Sequence, residues 1–205
     1  MFHDRTAAGE RLADVLESRG VRADLVVAIP RGGLPLGRAV ADRLGAPLDV
    51  AVASKIGAPH NEEFAIGAVA EDGSIWLNEP ALERIDVSEA YLESERERER
   101  ATAMDKAATY REGARPAFGG KRVVVVDDGV ATGATMRACL QFIREDGPES
   151  LVAAVPVGPP DTLDELAGLV DELVVVEQPR DFRAVGAHYR NFGQVSDEEA
   201  MSYLA

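Results

Sequence analysis

The sequence predicts an α/β fold built on a doubly wound, mostly parallel sheet, and three observations carry that expectation. Short continuous apolar runs recur along the chain: LVVAI, VVVV, LVAAVPV and ELVVVE. Strands buried on both faces read this way, because helices cover both sides of a parallel sheet. Stretches with helical apolar spacing alternate with these runs, the pattern of parallel strands joined by right-handed crossovers. One region breaks the alternation: FAIGAVA and SIWLN flank Glu71-Asp72-Gly73, whose Asp-Gly step signals a hairpin of two antiparallel strands.

Each element follows in order. Ala7, Ala8, Leu12, Val15 and Leu16 predict a helix over 6–19, stopped by Gly20. The first strand covers 25–29 and ends at Pro30. A helix over about 34–44 leads to a second strand over 49–54, followed by a polar loop, KIGAPHNEE, and then the hairpin. A helix over about 88–111 contains ESERERERA, where i,i+3 spacing sets Glu93 near Arg96 and Glu95 near Arg98, the mark of a solvated helix face. A strand over 123–126, a helix to about 145, a strand over 151–157, a helix over about 161–169 and a strand over 172–177 complete the pattern. The tail from Gln178 contains no further buried strand, but it holds Phe182, Tyr189, Phe192 and Tyr203.

A chain of 205 residues, 46% hydrophobic, is expected to form a single domain over 1–205 around one core. No apolar stretch is long enough to span a bilayer and the first residues lack an apolar leader, so a soluble, cytoplasmic protein is expected, with no membrane partner. The 36 acidic against 22 basic residues, a formal charge of -14, argue against a nucleic-acid partner. Only three residues are lysine: Lys55, Lys106 and Lys121. The lone cysteine, Cys139, excludes a disulfide within the chain, and its helical context makes it a small core residue rather than a reactive thiol.

The stretch richest in chemistry is VVVVDDGVATGAT, residues 123–135. It places two adjacent carboxylates, Asp127 and Asp128, at the carboxyl end of a buried strand, where open parallel sheets bind ligands. Gly129, Ala131, Gly133 and Ala134 let a phosphate approach the backbone at a helix start, with Val130 between them and Thr132 and Thr135 offering hydroxyls. The carboxylates would repel that phosphate, so they need another partner: vicinal sugar hydroxyls, or a hydrated Mg²⁺ held by sugar and phosphate oxygens. The ligand implied carries both phosphate and ribose. The plainer reading is a strand-to-helix turn with Asp as its cap. No Walker loop, GxGxxG, GxSxG or HExxH pattern is present.

Over these thirteen residues the sequence resembles the type I phosphoribosyltransferases. The longer stretches PRGG, SKIGAPHNEEFAIGAVAEDG and DFRAVGAHYRNFGQVSDEE are similar to a less-characterised bacterial and archaeal branch of that family. The resemblance implies a core over about 1–177, a mobile loop after the second strand, and a C-terminal hood over about 178–205. It implies that Asp127 and Asp128 engage the ribose hydroxyls of phosphoribosyl pyrophosphate, used with Mg²⁺, and that residues 131–135 wrap its 5′-phosphate. Pro30-Arg31-Gly32-Gly33 would be the pyrophosphate loop, with a non-proline cis peptide. Arg31 would meet the diphosphate, Gly32 and Gly33 would admit it to the backbone, and Lys55 would add a second cation; Asn61, Glu62 and Glu63 fall on the loop without assigned roles. A nitrogenous base or related small-molecule acceptor would attack the anomeric carbon under the hood. Phe182 or Tyr189 would stack on it, unless these rings form the hood's own core. Ala131 stands where the enzymes for hypoxanthine and guanine carry Asp, which disfavours 6-oxopurine acceptors. A regulator that senses the same metabolite, or a phosphohydrolase acting on it, would use the same pocket. Homodimers are common in the family, and the charged helix or the Trp76 hairpin would be the contact.

Overall fold

A computed structural model describes residues 1–111 and 113–205, Glu63 by its backbone alone. In chain order the elements are α1 (Arg5–Ser18), β1 (Leu25–Ala28), α2 (Gly33–Leu44), β2 (Leu48–Val50), β3 (Ala53–Ala58), β4 (Asn61–Ala70) and β5 (Ile75–Leu77). They continue as α3 (Glu79–Leu82), α4 (Glu89–Tyr110), β6 (Arg122–Val126), α5 (Ala134–Glu145), β7 (Ser150–Val157), α6 (Pro160–Ala167), β8 (Glu172–Glu177) and α7 (Asp197–Ser202), with a 3₁₀ turn at Val185–His188 before α7.

Five strands form a parallel sheet in the order β2-β1-β6-β7-β8. Alternate residues of β6 serve opposite faces. Val123 and Val125 pack with Met136, Leu140 and Ile143 of α5, while Val124 and Val126 pack with Leu12 and Leu16 of α1 and Leu36 and Val40 of α2. Both faces of the strand are thereby dry, which explains its unbroken run of valines. From β1 the chain moves outward to β2, then returns across β1 to β6 and proceeds the other way. That reversal leaves a crevice beyond the carboxyl ends of β1 and β6.

The antiparallel part is larger than the sequence suggests. Three strands form the separate sheet β3-β4-β5, whose Asp-Gly turn carries Gly73 at φ 95°. The expected strand over 49–54 is two strands in different sheets, because β2 ends at Val50 and β3 begins at Ala53. The expected loop KIGAPHNEE is mostly a β-hairpin: β3 runs to Ala58 and pairs with β4 from Asn61. Ile56 and Ala58 bury one face of it, with Ile66 and Val69, beneath Tyr91 and Leu92 of α4. The register shifts around Gly57, and the Tyr91 hydroxyl donates to Gly57 O at 3.0 Å.

Helix α4 makes both expected ion pairs, Arg98–Glu95 at 2.6 Å and Arg96–Glu93 at 3.8 Å. Yet one of its faces is not solvated. Glu95 is only 7% exposed, Ala103 and Ala107 are buried, and Ser54 of β3 donates to Glu99. At its end, Arg111 ties α4 to β2 and to the β4–β5 turn: Nε donates to Asp49 at 3.1 Å, Nη1 to Glu71 at 3.0 Å, and Nη2 to Val50 O at 2.6 Å. Glu71 is nearly enclosed. Arg111→Met would leave that carboxylate buried without its cation, so about 3 kcal/mol of stability should be lost. Urea unfolding checks this through a lower midpoint at an unchanged slope.

Cys139 is buried within α5, and burial pushes its thiol pKa well up, so it behaves as a core residue. The tail is stitched to the first residues of the chain. Phe2 N donates to His188 O at 2.8 Å and Arg190 N to Phe2 O at 2.9 Å, forming a parallel bridge between Phe2 and Tyr189. Among the described residues, no helix is long and apolar enough to cross a membrane.

Candidate active site

Two glycines bring the loops after β1 and β6 together. A side chain on Gly33 would place its Cβ 2.7 Å from Val126 O, and one on Gly32 would lie 2.6 Å from Asp128 Cγ. Neither loop could approach the other with a larger residue in place. The Pro30–Arg31 peptide between β1 and these glycines is cis.

Above the two loops lies a cleft of about 550 Å³. Its floor is Asp127, Asp128 and Gly32, and Arg31, Lys55 and Lys106 stand around it. A smaller cavity of about 210 Å³ adjoins it, lined by residues 129–136. Lys55, Asp127, Asp128 and Thr135 border both. The wall of the smaller cavity owes its shape to Gly129 at φ 152° and Gly133 at φ 73°, after which α5 begins. Free N–H groups at a helix start suit an anion.

The two carboxylates differ in their surroundings. Asp127 is buried, and desolvation followed by the charge of Asp128 raises its pKa well above the usual carboxylate range; Lys55 acts in the opposite direction. Burial raises Asp128 as well, opposed chiefly by Arg5, whose Nε donates to Oδ2 at 2.8 Å. Two adjacent acids in a low dielectric resist being charged together. Arg5, 13% exposed, answers that repulsion and also fastens the tail. Its Nη1 donates to Gly193 O at 2.6 Å, and its guanidinium lies 3.9 Å from the centroid of the Phe192 ring.

Arg31 stands at the other side of the cleft, 3.6 Å from Asp197 at the start of α7. Tyr110 donates to the same carboxylate, and burial followed by Asp197 pushes the phenol up to about 12. The first and last helices are therefore tied to the crevice by side chains that line it.

The structure brings Asp127, Asp128, Arg31, Gly32 and Lys55 around one cleft, with residues 129–135 beside it. Lys55 sits within β3 rather than at the end of a parallel strand. Phe182 and Tyr189 line neither cavity. Phe182 stacks on His188, with centroids 5.4 Å apart. Tyr189 is 5% exposed between Phe2 and Phe192 and donates to Asp128 O at 2.6 Å, so this ring serves the tail's own core. Phe192, 37% exposed, is the aromatic residue at the cleft wall. Asn61 and Glu62 are exposed away from both cavities, and the side chain of Glu63 lies outside the described residues. Trp76 packs over Arg137 of α5 at 5.0 Å. Arg5, Lys106, Phe192 and Gln194 line the cleft, although no local motif in the sequence marks them.

The fold and crevice define an α/β protein with a polar cleft at the switch point of its parallel sheet. The phosphoribosyl transferase domain profile matches residues 5–187, and the chain belongs to that family. Two Mycobacterium tuberculosis proteins, of strains CDC 1551 and H37Rv, both provisionally named phosphoribosyl transferase, are 40% identical over 205 residues. The match takes in 100% of this chain and 46% of each relative, so the chain spans less than half the length of the curated relatives it matches. The crystal structure of TT1426 from Thermus thermophilus superposes with a TM-score of 0.83 at 44% identity, covering 100% of this chain and 97% of that one. A purine phosphoribosyltransferase from Pyrococcus horikoshii, at 17% identity and a TM-score of 0.50 over 92% and 90% of the two chains, shares the fold.

Proposed function

We propose that this chain is a catalytic phosphoribosyltransferase domain that uses phosphoribosyl pyrophosphate and transfers its 5-phosphoribosyl group to a small nitrogenous acceptor. The observation that carries the reading is the placement of Asp127 and Asp128 at the junction of two cavities. One is walled by small residues and a helix start, the other by cations. A ligand with a phosphate at one end, a ribose in the middle and a diphosphate at the other matches that order of chemistry. The reading carries a cytoplasmic setting and neither nucleic acid nor membrane as partner.

In the reaction, the bond from the anomeric carbon to the diphosphate oxygen breaks, and its electron pair leaves with pyrophosphate. A lone pair on the acceptor nitrogen forms the new bond, and the proton that nitrogen sheds goes to solvent. Positive charge develops on the sugar, where Asp127 and Asp128 stabilise it, and negative charge develops on the leaving group, where Arg31 and Lys55 do so. Gly32, which lines the cleft, would let the diphosphate reach the backbone, whereas Gly33 is buried against Val126 O and its N–H already donates to Ile29 O. Among the described residues no group of three or more His, Cys, Asp or Glu could hold a metal alone. The two carboxylates nevertheless suit Mg²⁺, which is commonly held by one or two acids together with substrate oxygens. When bound, it would neutralise charge on the diphosphate. The methyl of Ala131 cannot exchange a proton with an acceptor, which disfavours 6-oxopurines, and Phe192, which lines the cleft, would be the ring to meet an acceptor under the tail.

The test is incubation with Mg²⁺, phosphoribosyl pyrophosphate and a panel of nitrogenous acceptors, with pyrophosphate and ribosylated product measured together. Equal yields of both are expected with one acceptor class. Release of pyrophosphate with no ribosylated product would make the chain a hydrolase, and saturable binding without turnover would make it a sensor. Arg31→Ala should lower turnover about 100-fold with an unchanged melting temperature, since Arg31 is half exposed and its contact to Asp197 is long. A rate within threefold of wild type would remove Arg31 from the site.

A further inference from the structure

We propose that Lys106 of α4 is a third cation of the diphosphate subsite, acting with Arg31 and Lys55. The inference rests on the reading of the cleft as a site for phosphoribosyl pyrophosphate, and it concerns a residue outside every motif singled out in the sequence.

The first observation is one of sequence. Lysine is nearly excluded from this chain, with three in 205 residues, yet two of the three line the same cleft. The arginines of α4 at 96 and 98 are answered by acids at i−3. Around Lys106, positions i±3 and i±4 are Thr102, Ala103, Thr109 and Tyr110, none of them acidic. Lys106 forms no ion pair among the described residues, so it lacks the partner that would make it part of a self-neutralised helix surface.

The second observation is one of placement. Lys106 lies between Ala103 and Ala107, whose buried methyl groups pack against Val52 and Val195. Small side chains there hold α4 close to the crevice. Both ends of the helix are fastened, through Tyr91 to Gly57 O and through Arg111 to Asp49 and Glu71, so the position of Lys106 does not depend on its own contacts. One turn further on, Tyr110 donates to Asp197, the carboxylate that Arg31 approaches at 3.6 Å. Lys106 therefore belongs with Arg31: both line the larger cleft and neither lines the smaller cavity of residues 129–136.

The third observation is one of charge. A diphosphate carries several negative charges near neutral pH, and it would share the cleft with Asp127 and Asp128. Arg5 is committed to Asp128, and part of the charge of Arg31 is answered by Asp197. Lys55 alone could not balance the remainder. A second ammonium lining the same cleft, unpaired among the described residues, supplies what is lacking, and a flexible lysine suits a leaving group that must later depart.

The test measures binding of two probes to the whole chain in the presence of Mg²⁺: inorganic pyrophosphate and ribose 5-phosphate. Lys106→Gln should weaken pyrophosphate about tenfold, leave ribose 5-phosphate within twofold of wild type, and keep the melting temperature; Lys106→Arg should restore most of the loss. Lys106 is exposed, so neither variant should disturb the core. If wild type binds pyrophosphate and Lys106→Gln binds it equally well, the inference is overturned while the reading of the cleft stands. Equal weakening of both probes also overturns it, since that would mark a general rather than a diphosphate-specific role. If wild type binds neither probe, the reading of the cleft fails and takes the inference with it.

Discussion

Asp128→Asn is expected to lower turnover about 100- to 1,000-fold while the folded state survives. The substitution keeps the shape of the side chain and removes only its charge. Tyr189 meets the backbone carbonyl of residue 128, so the tail retains that fastening. Arg5 loses its counter-charge but can still donate to the amide oxygen, and removing a carboxylate that burial disfavours offsets part of what the lost ion pair contributed. The melting temperature should therefore move little, whereas on the proposed reading the sugar would lose an anion beside its developing positive charge. Steady-state rates with saturating phosphoribosyl pyrophosphate, set beside thermal melts, separate the two effects. Turnover within a few-fold of wild type would remove Asp128 from the chemistry.

Gly32→Ala should damage both stability and activity, although it adds one methyl group. Its Cβ would sit 2.6 Å from Asp128 Cγ, inside any tolerable contact. Either the β1 loop retreats or the carboxylate is driven off Arg5. Overpacking of this kind costs about 1–3 kcal/mol, and turnover should fall about 100-fold because the displaced group is the one that would face the sugar. Gly168→Ala is the control. It caps α6 at φ −70°, where alanine fits, with no contact under 3.4 Å. If both variants melt and turn over like wild type, the close approach of the two loops has no bearing on the site.

The parallel sheet is legible in the sequence because burial on both faces leaves a signature within each strand, a run such as Val123 to Val126 that needs no distant partner to be recognised. The loop from Gly129 to Thr135 is legible for a related reason: small residues, hydroxyls and paired acids are local in sequence. The β3–β4 hairpin is not. Lys55, Gly57, Pro59 and His60 interrupt its apolar residues, and the surface that buries Ile56 comes from Tyr91 and Leu92, on a helix that follows much later in the chain. Arg5 is hidden in the same way. Its partners lie 123 and 188 residues away, and nothing around it in sequence distinguishes it from any charged residue at a helix start. The aromatic tail is legible as rings in need of a partner, but which ring faces the cleft depends on Phe2 filling the space beside Tyr189.

The guanidinium of Arg5 grips a carboxylate with one nitrogen and the carbonyl of Gly193 with another. Any visitor that claims Asp128 for itself thus deprives the cover of a strut, and a cover held firmly in place must in turn discourage the visitor, since such linkage works equally in both directions. Admission to this crevice and the looseness of its roof would thus share one side chain, beside the fastenings that Tyr189 and Asp197 provide.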